Sequence, residues 1–163
     1  MKFDNYNKDQ QIYNYSEENI NLNPKNKLDK FIDYNELNNL VNSLDAFSDM
    51  PFCYLYEYLD KKYPNSLFIY IYRDSDSWYK SINKHSKSYS NMRKLIYGYG
   101  AAYQNKDKYI SLYEKHNDDV SRYFKNNNNF FKINLNDPLI GEKICEFCQF
   151  KHIIPFPKKN ITK

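Results

Sequence analysis

An apolar, β-rich run from Leu67 to Tyr72 stops at a charge, Arg73, and Asp74, Ser75, Asp76, Trp78 and Ser81 follow. This order predicts a buried strand, a turn, and a helix capped by Ser75 or Asp76. In open α/β sheets, ligands bind outside the carboxyl ends of the strands, which is where Arg73 falls. A guanidinium there can grip a phosphate through two parallel hydrogen bonds. Ser81, on the following helix, is near enough to add a hydroxyl. The plainer reading pairs Arg73 with Asp74, Asp76 or a carboxylate elsewhere. The segment alone leaves both open.

Other residues could do chemistry. Asp49 stands two positions before Pro51. Read from its neighbours, it caps the helix that Pro51 opens, and a carboxylate there can also serve as a base if it is partly desolvated. Asp45 is a weaker substitute. Lys25 and Lys27 could supply charge to an anion, although solvated lysines are the default. Cys145, Cys148 and His152 imitate half of a zinc site, but no second pair of ligands exists, so core packing is the expectation and no metal is expected. His85 and His116 lie in polar stretches without a Ser or Cys nucleophile signature and read as surface or helix-face residues. Trp78 reads as a core anchor for the helix after Arg73, with stacking on a base as its other use.

The elements that must position these groups follow from periodicity. Residues 1–26 are polar and repetitive and read as a poorly ordered N-terminal segment, leaving 27–163 as one folded domain. Leu28 to Leu44 shows helical spacing, and Asp33 with Glu36 forms a capping box. Pro51 suits the first turn of a helix that runs to about Tyr63 and is stopped by Pro64-Asn65. A helix to about Lys87 follows the strand, with loop over 86–90. A second helix covers 91–99, its end weakened by Gly98 and Gly100. Residues 106–125 form a longer amphipathic helix with Tyr109, Tyr113, Val120, Tyr123 and Phe124 inward. Four asparagines, Asn126 to Asn129, make a turn. Phe131, Ile133 and Leu135 alternate with polar residues as in a strand, and Asp137-Pro138 opens a last helix ending near Phe150. Strands separated by helices, with few hairpin signals, predict an α/β fold: a parallel sheet of two or three strands flanked by helices.

Composition bounds the function. The chain has 163 residues, enough for one domain with a core. Its 18 Tyr and 11 Phe accompany abundant Lys, Asn and Ile, and they occur in every segment rather than on one face. That distribution favours an AT-rich coding bias over an aromatic surface for bases or sugars. The net charge of +4 suits an anionic ligand but shows no concentrated basic stripe, so nucleic acid is not an expected partner. Binding of nucleic acid or a phosphosugar through Arg73, lysines and tyrosines is the third-ranked reading. No run of 18 apolar residues and no apolar N-terminal leader occur, so no membrane is expected and a cytoplasmic location fits. Three cysteines do not make a disulfide framework.

Taken in order, Asp49-x-Pro51, the helix Leu55 to Pro64, the strand with Arg73-Asp74 and Trp78, and Phe156-Pro157-Lys158-Lys159-Asn160 resemble the sulfotransferase family. The likeness spans about residues 33–160. It is to a branch with Asp-x-Pro before a helix, Arg-Asp-Pro-x-x-Trp after the next strand and a terminal Phe-Pro-x-x-Asn; Ser75 stands where that branch prefers Pro. The resemblance implies a P-loop NTPase-like fold and 3′-phosphoadenylyl sulfate (PAPS) as sulfuryl donor. It puts Arg73 and Ser81, eight positions apart, on the 3′-phosphate, lets Trp78 face the adenine, and makes Asp49 the base. The acceptor would be a hydroxyl or amine of a small molecule or glycan. Members of the family open with a strand and a loop rich in Gly, Ser and Thr that cradles the 5′-phosphosulfate. Here the three glycines, Gly98, Gly100 and Gly141, all follow Arg73, and nothing in residues 1–44 reads as such a loop. The expected fold is therefore N-terminally incomplete. The chain is then either an enzyme to which a partner chain supplies the loop, or a vestigial nucleotide-binding domain.

Overall fold

The computed structural model describes residues 32–85, 90–153 and 155–156. The N-terminal segment with Lys25 and Lys27, and most of the tail motif from Pro157 onward, lie outside the described residues.

The first element, α1 (Tyr34–Ser43), starts where a short polar side chain can replace the missing turn. Asp33 Oδ1 accepts hydrogen bonds from the N–H groups of Asn35 (2.9 Å) and Glu36 (3.2 Å). Leu37 is its fully buried anchor. A turn through Asp49 and a cis Met50-Pro51 bond leads to a short 3₁₀ turn, Phe52–Tyr54, and then α2 (Tyr56–Lys62). Pro51 thus opens a 3₁₀ turn rather than the α-helix directly. Lys61 and Lys62 close α2, where cations suit the helix dipole. Asn38 of α1 accepts hydrogen bonds from the hydroxyls of Tyr58 (2.8 Å) and Tyr63 (3.0 Å), which ties the two helices together.

β1 (Phe68–Tyr72) pairs in parallel with β2 (Phe130–Asn134), Phe68 opposite Phe130 and Tyr72 opposite Asn134. The crossover between them carries α3 (Ser75–His85), α4 (Asn91–Tyr97), a 3₁₀ turn (Ala102–Gln104) and α5 (Lys106–Tyr123). α6 (Ile140–Phe147) follows β2. This is the parallel α/β arrangement the alternation of elements predicts, with two strands among the described residues. Gly98 ends α4 at φ 78°, a left-handed conformation that costs glycine least. Asp137 lies in the turn before the last helix: its carboxylate accepts from the Leu139 N–H (2.9 Å) and from Lys143 Nζ (2.6 Å), and the Lys143 bond holds it below the usual carboxylate range.

The core falls into three aromatic-rich clusters. Tyr56, Val120 and Phe124 pack beneath one sheet face, against Phe68, Tyr70 and Phe130. Tyr54, Leu95 and Ile96 gather Met50, Cys53 and Tyr97. Tyr79, Ala102 and Tyr109 gather Trp78, Ile82 and Tyr97. Many of the tyrosines are thus structural. Tyr79 donates to the Ala102 carbonyl (3.0 Å) and Tyr109 to the Tyr99 carbonyl (2.6 Å), so burial of each ring does not strand its hydroxyl.

The strand expected to be buried is covered on one face only. The opposite face of β2 is closed by α6, where Phe131 stacks on Phe147 (5.2 Å) and Ile133 is buried. On β1 that face is open: Leu67, Ile69 and Ile71 keep 47%, 38% and 39% of their surface exposed. An unbroken apolar run cannot distinguish a strand covered on both faces from one covered on a single face, because β-branched residues suit either.

Candidate functional site

The turn after β1 is built by residues brought in from the crossover. Asp74, not Ser75 or Asp76, caps α3: its Oδ1 accepts from the Ser77 N–H at 2.7 Å, and its carbonyl accepts from the Trp78 N–H at 2.9 Å. Capping-competent residues stand in a row here, and the one nearest the strand end wins. Ser75 instead donates its hydroxyl to Glu114 Oε1 (2.7 Å), and Asp76 forms an ion pair with Lys106 (3.0 Å). Lys106 holds the Asp76 carboxyl below its ordinary value.

Both aspartates beside Arg73 are therefore engaged elsewhere. The side chain of Arg73 is half-buried and, among the described residues, has no ion-pair or hydrogen-bond partner. That removes the plain ion-pair reading of this arginine with Asp74 or Asp76. Ser81 sits on α3, half-buried, its hydroxyl also without a partner among the described residues. At 1.5 Å per residue, it is about 9 Å along the helix from Ser75. A phosphate touching both groups would lie along the side of the first turns rather than beyond the helix tip.

Trp78 is stacked on Tyr113 of α5, ring centroids 4.2 Å apart and planes within 8°, with Tyr97 at 6.0 Å. The anchor role expected of it is what the packing shows. One face of the indole is taken, so a stacked base could use only the other.

Asp49 is placed differently. It is exposed, with φ 67°, and its carboxylate accepts from the N–H of the next residue, Met50 (2.9 Å). Its carbonyl accepts from the Cys53 N–H (3.2 Å). Its side chain does not cap the helix that follows. Among the described residues, no hydrogen bond or ion pair joins Asp49 to Arg73. The link between them is indirect: Met50 and Tyr97 pack against the same buried residues, Tyr54, Leu95 and Ile96, and Tyr97 lies against Trp78.

Of the two roles expected of His116, surface or helix face, the second fits: it lies on the inner side of α5. Its ring is half-buried among Tyr54 (4.6 Å), Tyr70 (5.9 Å) and Tyr56 (6.1 Å). Of the polar letters around it on α5, Lys115 and Asp118 are exposed, whereas Asn117 turns inward and accepts from the Tyr70 hydroxyl. Cys53 and the tyrosines there are hard to ionise: burial, then the Asp49 charge, pushes the Cys53 thiol up to about 12, and burial raises Tyr54, Tyr70 and Tyr97. Cys145 is buried and the Cys148 thiol is raised by burial, as core packing requires. Among the described residues, no group of three or more His, Cys, Asp or Glu is arranged around a common point.

A family model for the sulfotransferase domain matches residues 3–99, more than half the chain. This chain belongs to the sulfotransferase family. The match begins inside the polar N-terminal segment, carries α1 to α4 and β1 with Asp49, Arg73, Trp78 and Ser81, and ends before α5 and β2. No curated protein and no solved structure matches the chain. The residues that hold the strand-end turn in place, Lys106, Tyr113 and Glu114, all lie outside the matched segment. In the sequence Tyr113 reads as an inward residue of an amphipathic helix, and nothing there signals its contact with Arg73. No helix among the described residues is long and apolar enough to cross a membrane.

Proposed function

We propose that this sulfotransferase-family chain binds the adenosine 3′,5′-bisphosphate part of PAPS at the end of β1. Arg73 grips the 3′-phosphate and Ser81 adds a hydrogen bond. Trp78 is the ring that would face the base, on the side away from Tyr113. The observation that carries this reading is the Arg73 guanidinium, unpaired among the described residues, at the carboxyl end of a parallel strand, with both neighbouring aspartates engaged elsewhere. A guanidinium whose donors no protein group takes keeps them for a ligand, and a phosphate can accept two of them in parallel.

Transfer would break the bond between sulfur and the bridging phosphate oxygen and form a new one from sulfur to an acceptor oxygen or nitrogen. The bisphosphate leaves, and the acceptor proton passes to Asp49. The acceptor is a small molecule or glycan carrying a hydroxyl or amine. The 5′-phosphosulfate needs N–H donors that no glycine-rich loop before Arg73 supplies, and a partner chain is the proposed source. The exposed, locally bonded Asp49 carboxylate favours a second reading, in which the nucleotide is held but no sulfate is transferred. A cytoplasmic setting, where PAPS would be at hand, suits either.

Calorimetry with adenosine 3′,5′-bisphosphate and AMP tests the binding step. The bisphosphate should bind more tightly. A charge-assisted contact contributes about 1.5–3 kcal/mol, so Arg73→Ala should lower bisphosphate affinity roughly ten- to a hundredfold. Ser81→Ala should lower it about fivefold, as for a neutral hydrogen bond of about 1 kcal/mol. Equal affinity of the wild type for the two nucleotides would remove the pocket. With PAPS and an acceptor present, Asp49→Asn should slow turnover about 10²- to 10⁴-fold at unchanged nucleotide affinity. Binding without turnover in the wild type would select the second reading.

A further inference from the structure

In β1 the N–H of Phe68 donates to Asn129 and the carbonyl of Tyr72 accepts from Leu135, so the even-numbered residues turn their backbone groups toward β2. Ile69, Ile71 and Arg73 turn theirs the other way, to the unpaired edge. Among the described residues no strand lies on that edge, and at Arg73 a side chain takes the place of one. The Tyr113 hydroxyl accepts from the Arg73 N–H (3.2 Å) and donates to the Arg73 carbonyl (3.1 Å). One oxygen thus satisfies both backbone groups of the residue that carries the unpaired guanidinium. The Tyr113 ring is in turn fixed by Trp78, stacked at 4.2 Å. Tyr113 and Trp78 come from α5 and α3, the two helices that meet over the strand end.

We propose that Tyr113 is a positioning residue for nucleotide recognition. Its hydroxyl locks the Arg73 backbone, so that the guanidinium meets the 3′-phosphate without first paying for ordering. This rests on the donor-binding reading above and adds a residue that lies outside the segment matching the family. A loose Arg73 backbone would spread the guanidinium over many positions, and every loss of preorganisation is taken from affinity. The effect is confined to ligands that carry the 3′-phosphate, because only they use Arg73. The lock also sets the edge of the sheet: a strand added beside Ile69 and Ile71 must stop before Arg73, which keeps the strand end open to a ligand.

The test compares bisphosphate and AMP affinities by calorimetry in full-length wild type, Tyr113→Phe, Arg73→Ala and the double variant. Tyr113→Phe keeps the ring against Trp78 and removes only the hydroxyl. The preference for bisphosphate over AMP should fall about fivefold, the equivalent of one neutral hydrogen bond, while AMP affinity changes less than twofold. In the Arg73→Ala background the same substitution should change the preference no further, since Tyr113 acts through Arg73. Tyr123→Phe is the control: on the same helix it removes a hydroxyl bonded to Asp60 (2.9 Å), and it should lower thermal stability while leaving the preference intact. If Tyr113→Phe does not fold, Trp78→Phe, which loosens the ring behind the hydroxyl, should lower the preference by a smaller factor. A wild type without preference removes the donor-binding reading and this inference with it. A wild-type preference that Arg73→Ala abolishes and Tyr113→Phe or Trp78→Phe leaves intact overturns the positioning role alone. So does an equal loss for both nucleotides, which would make Tyr113 merely structural.

Discussion

The two turns that carry this chain's candidate chemistry are held in opposite ways. The turn after β1 is pinned from a distance: Tyr113, Glu114 and Lys106, some 30 to 40 positions further on, bond to Arg73, Ser75 and Asp76. The turn at Asp49 is held by its neighbours. Its carboxylate bonds the next N–H, its carbonyl bonds Cys53, and Phe47 packs on Phe52 at 4.7 Å. The difference suits the two roles proposed for them. A phosphate clamp works through a fixed backbone, because the ligand brings a rigid, highly charged group. An acceptor-side carboxylate in an exposed, locally closed turn can be carried to different acceptors by changes within a few residues. Among the described residues Tyr97 joins the two, because it packs against the cluster that also takes Met50 and against the one that takes Trp78.

High pH should break both regions at once, and it is the largest effect we expect. Cys53 and Tyr109 are pushed up to about 12 by burial, as is Tyr123, and Tyr54, Tyr70 and Tyr97 are raised by burial too. The unfolded values are 9.0 for cysteine and 10.0 for tyrosine. Below about pH 9 both states hold these protons, and the contribution is constant. Above it the unfolded state releases them first, so stability falls as pH rises toward the folded values. Urea midpoints should be flat from pH 7 to about 8.5 and drop steeply between about 10 and 12. Because Tyr97 belongs to both clusters, near-ultraviolet dichroism and tyrosinate absorbance should report one transition. Two separate transitions would mean that the turns unfold independently.

Cutting one ring from each turn compares them directly. Trp78→Ala removes the stack on Tyr113 and the contact with Tyr97, and should cost about 3 kcal/mol, the lower end for loss of a large aromatic in a packed site. Phe47→Ala, at a half-buried ring with one aromatic neighbour, should cost about 1 kcal/mol. Urea unfolding at pH 7 measures both. Equal losses would abolish the contrast between the remote and the local clamp.

The sequence made visible what is local. Asp33 before Glu36 marks a helix start, Gly98 marks a helix end, and Arg73 stands out because an apolar run stops at a charge. Each rests on contacts within four residues or on simple periodicity. What decides the behaviour of Arg73 is not local. Tyr113 is one of 18 tyrosines, and nothing in its neighbourhood distinguishes a residue that reaches a strand end 40 positions earlier from one that fills the core. The same holds for His116, whose polar sequence neighbours conceal three tyrosines that meet it only in the fold. The open face of β1 was hidden for a different reason: Ile69 and Ile71 are apolar and yet exposed, a state that hydrophobicity alone cannot signal.

The smallest expected effect is the sharpest test of the local turn. Asp49 holds φ 67°, a conformation that costs a residue with a Cβ roughly 1 kcal/mol and glycine almost nothing. Asp49→Gly relieves that cost. It also loses the hydrogen bond to the Met50 N–H, worth little because water can replace an exposed carboxylate there. Finally, it gives the unfolded chain more freedom, which costs about 0.4–1 kcal/mol. The three terms nearly cancel, so the urea midpoint should correspond to a stability change within about 0.5 kcal/mol of zero. Bisphosphate affinity should also stay within twofold, because Arg73 is held from α5 and not from this turn. A loss of more than about 1.5 kcal/mol would show that the carboxylate itself closes the turn, and a fall in bisphosphate affinity would show that the two turns are coupled through Tyr97 more tightly than their contacts suggest.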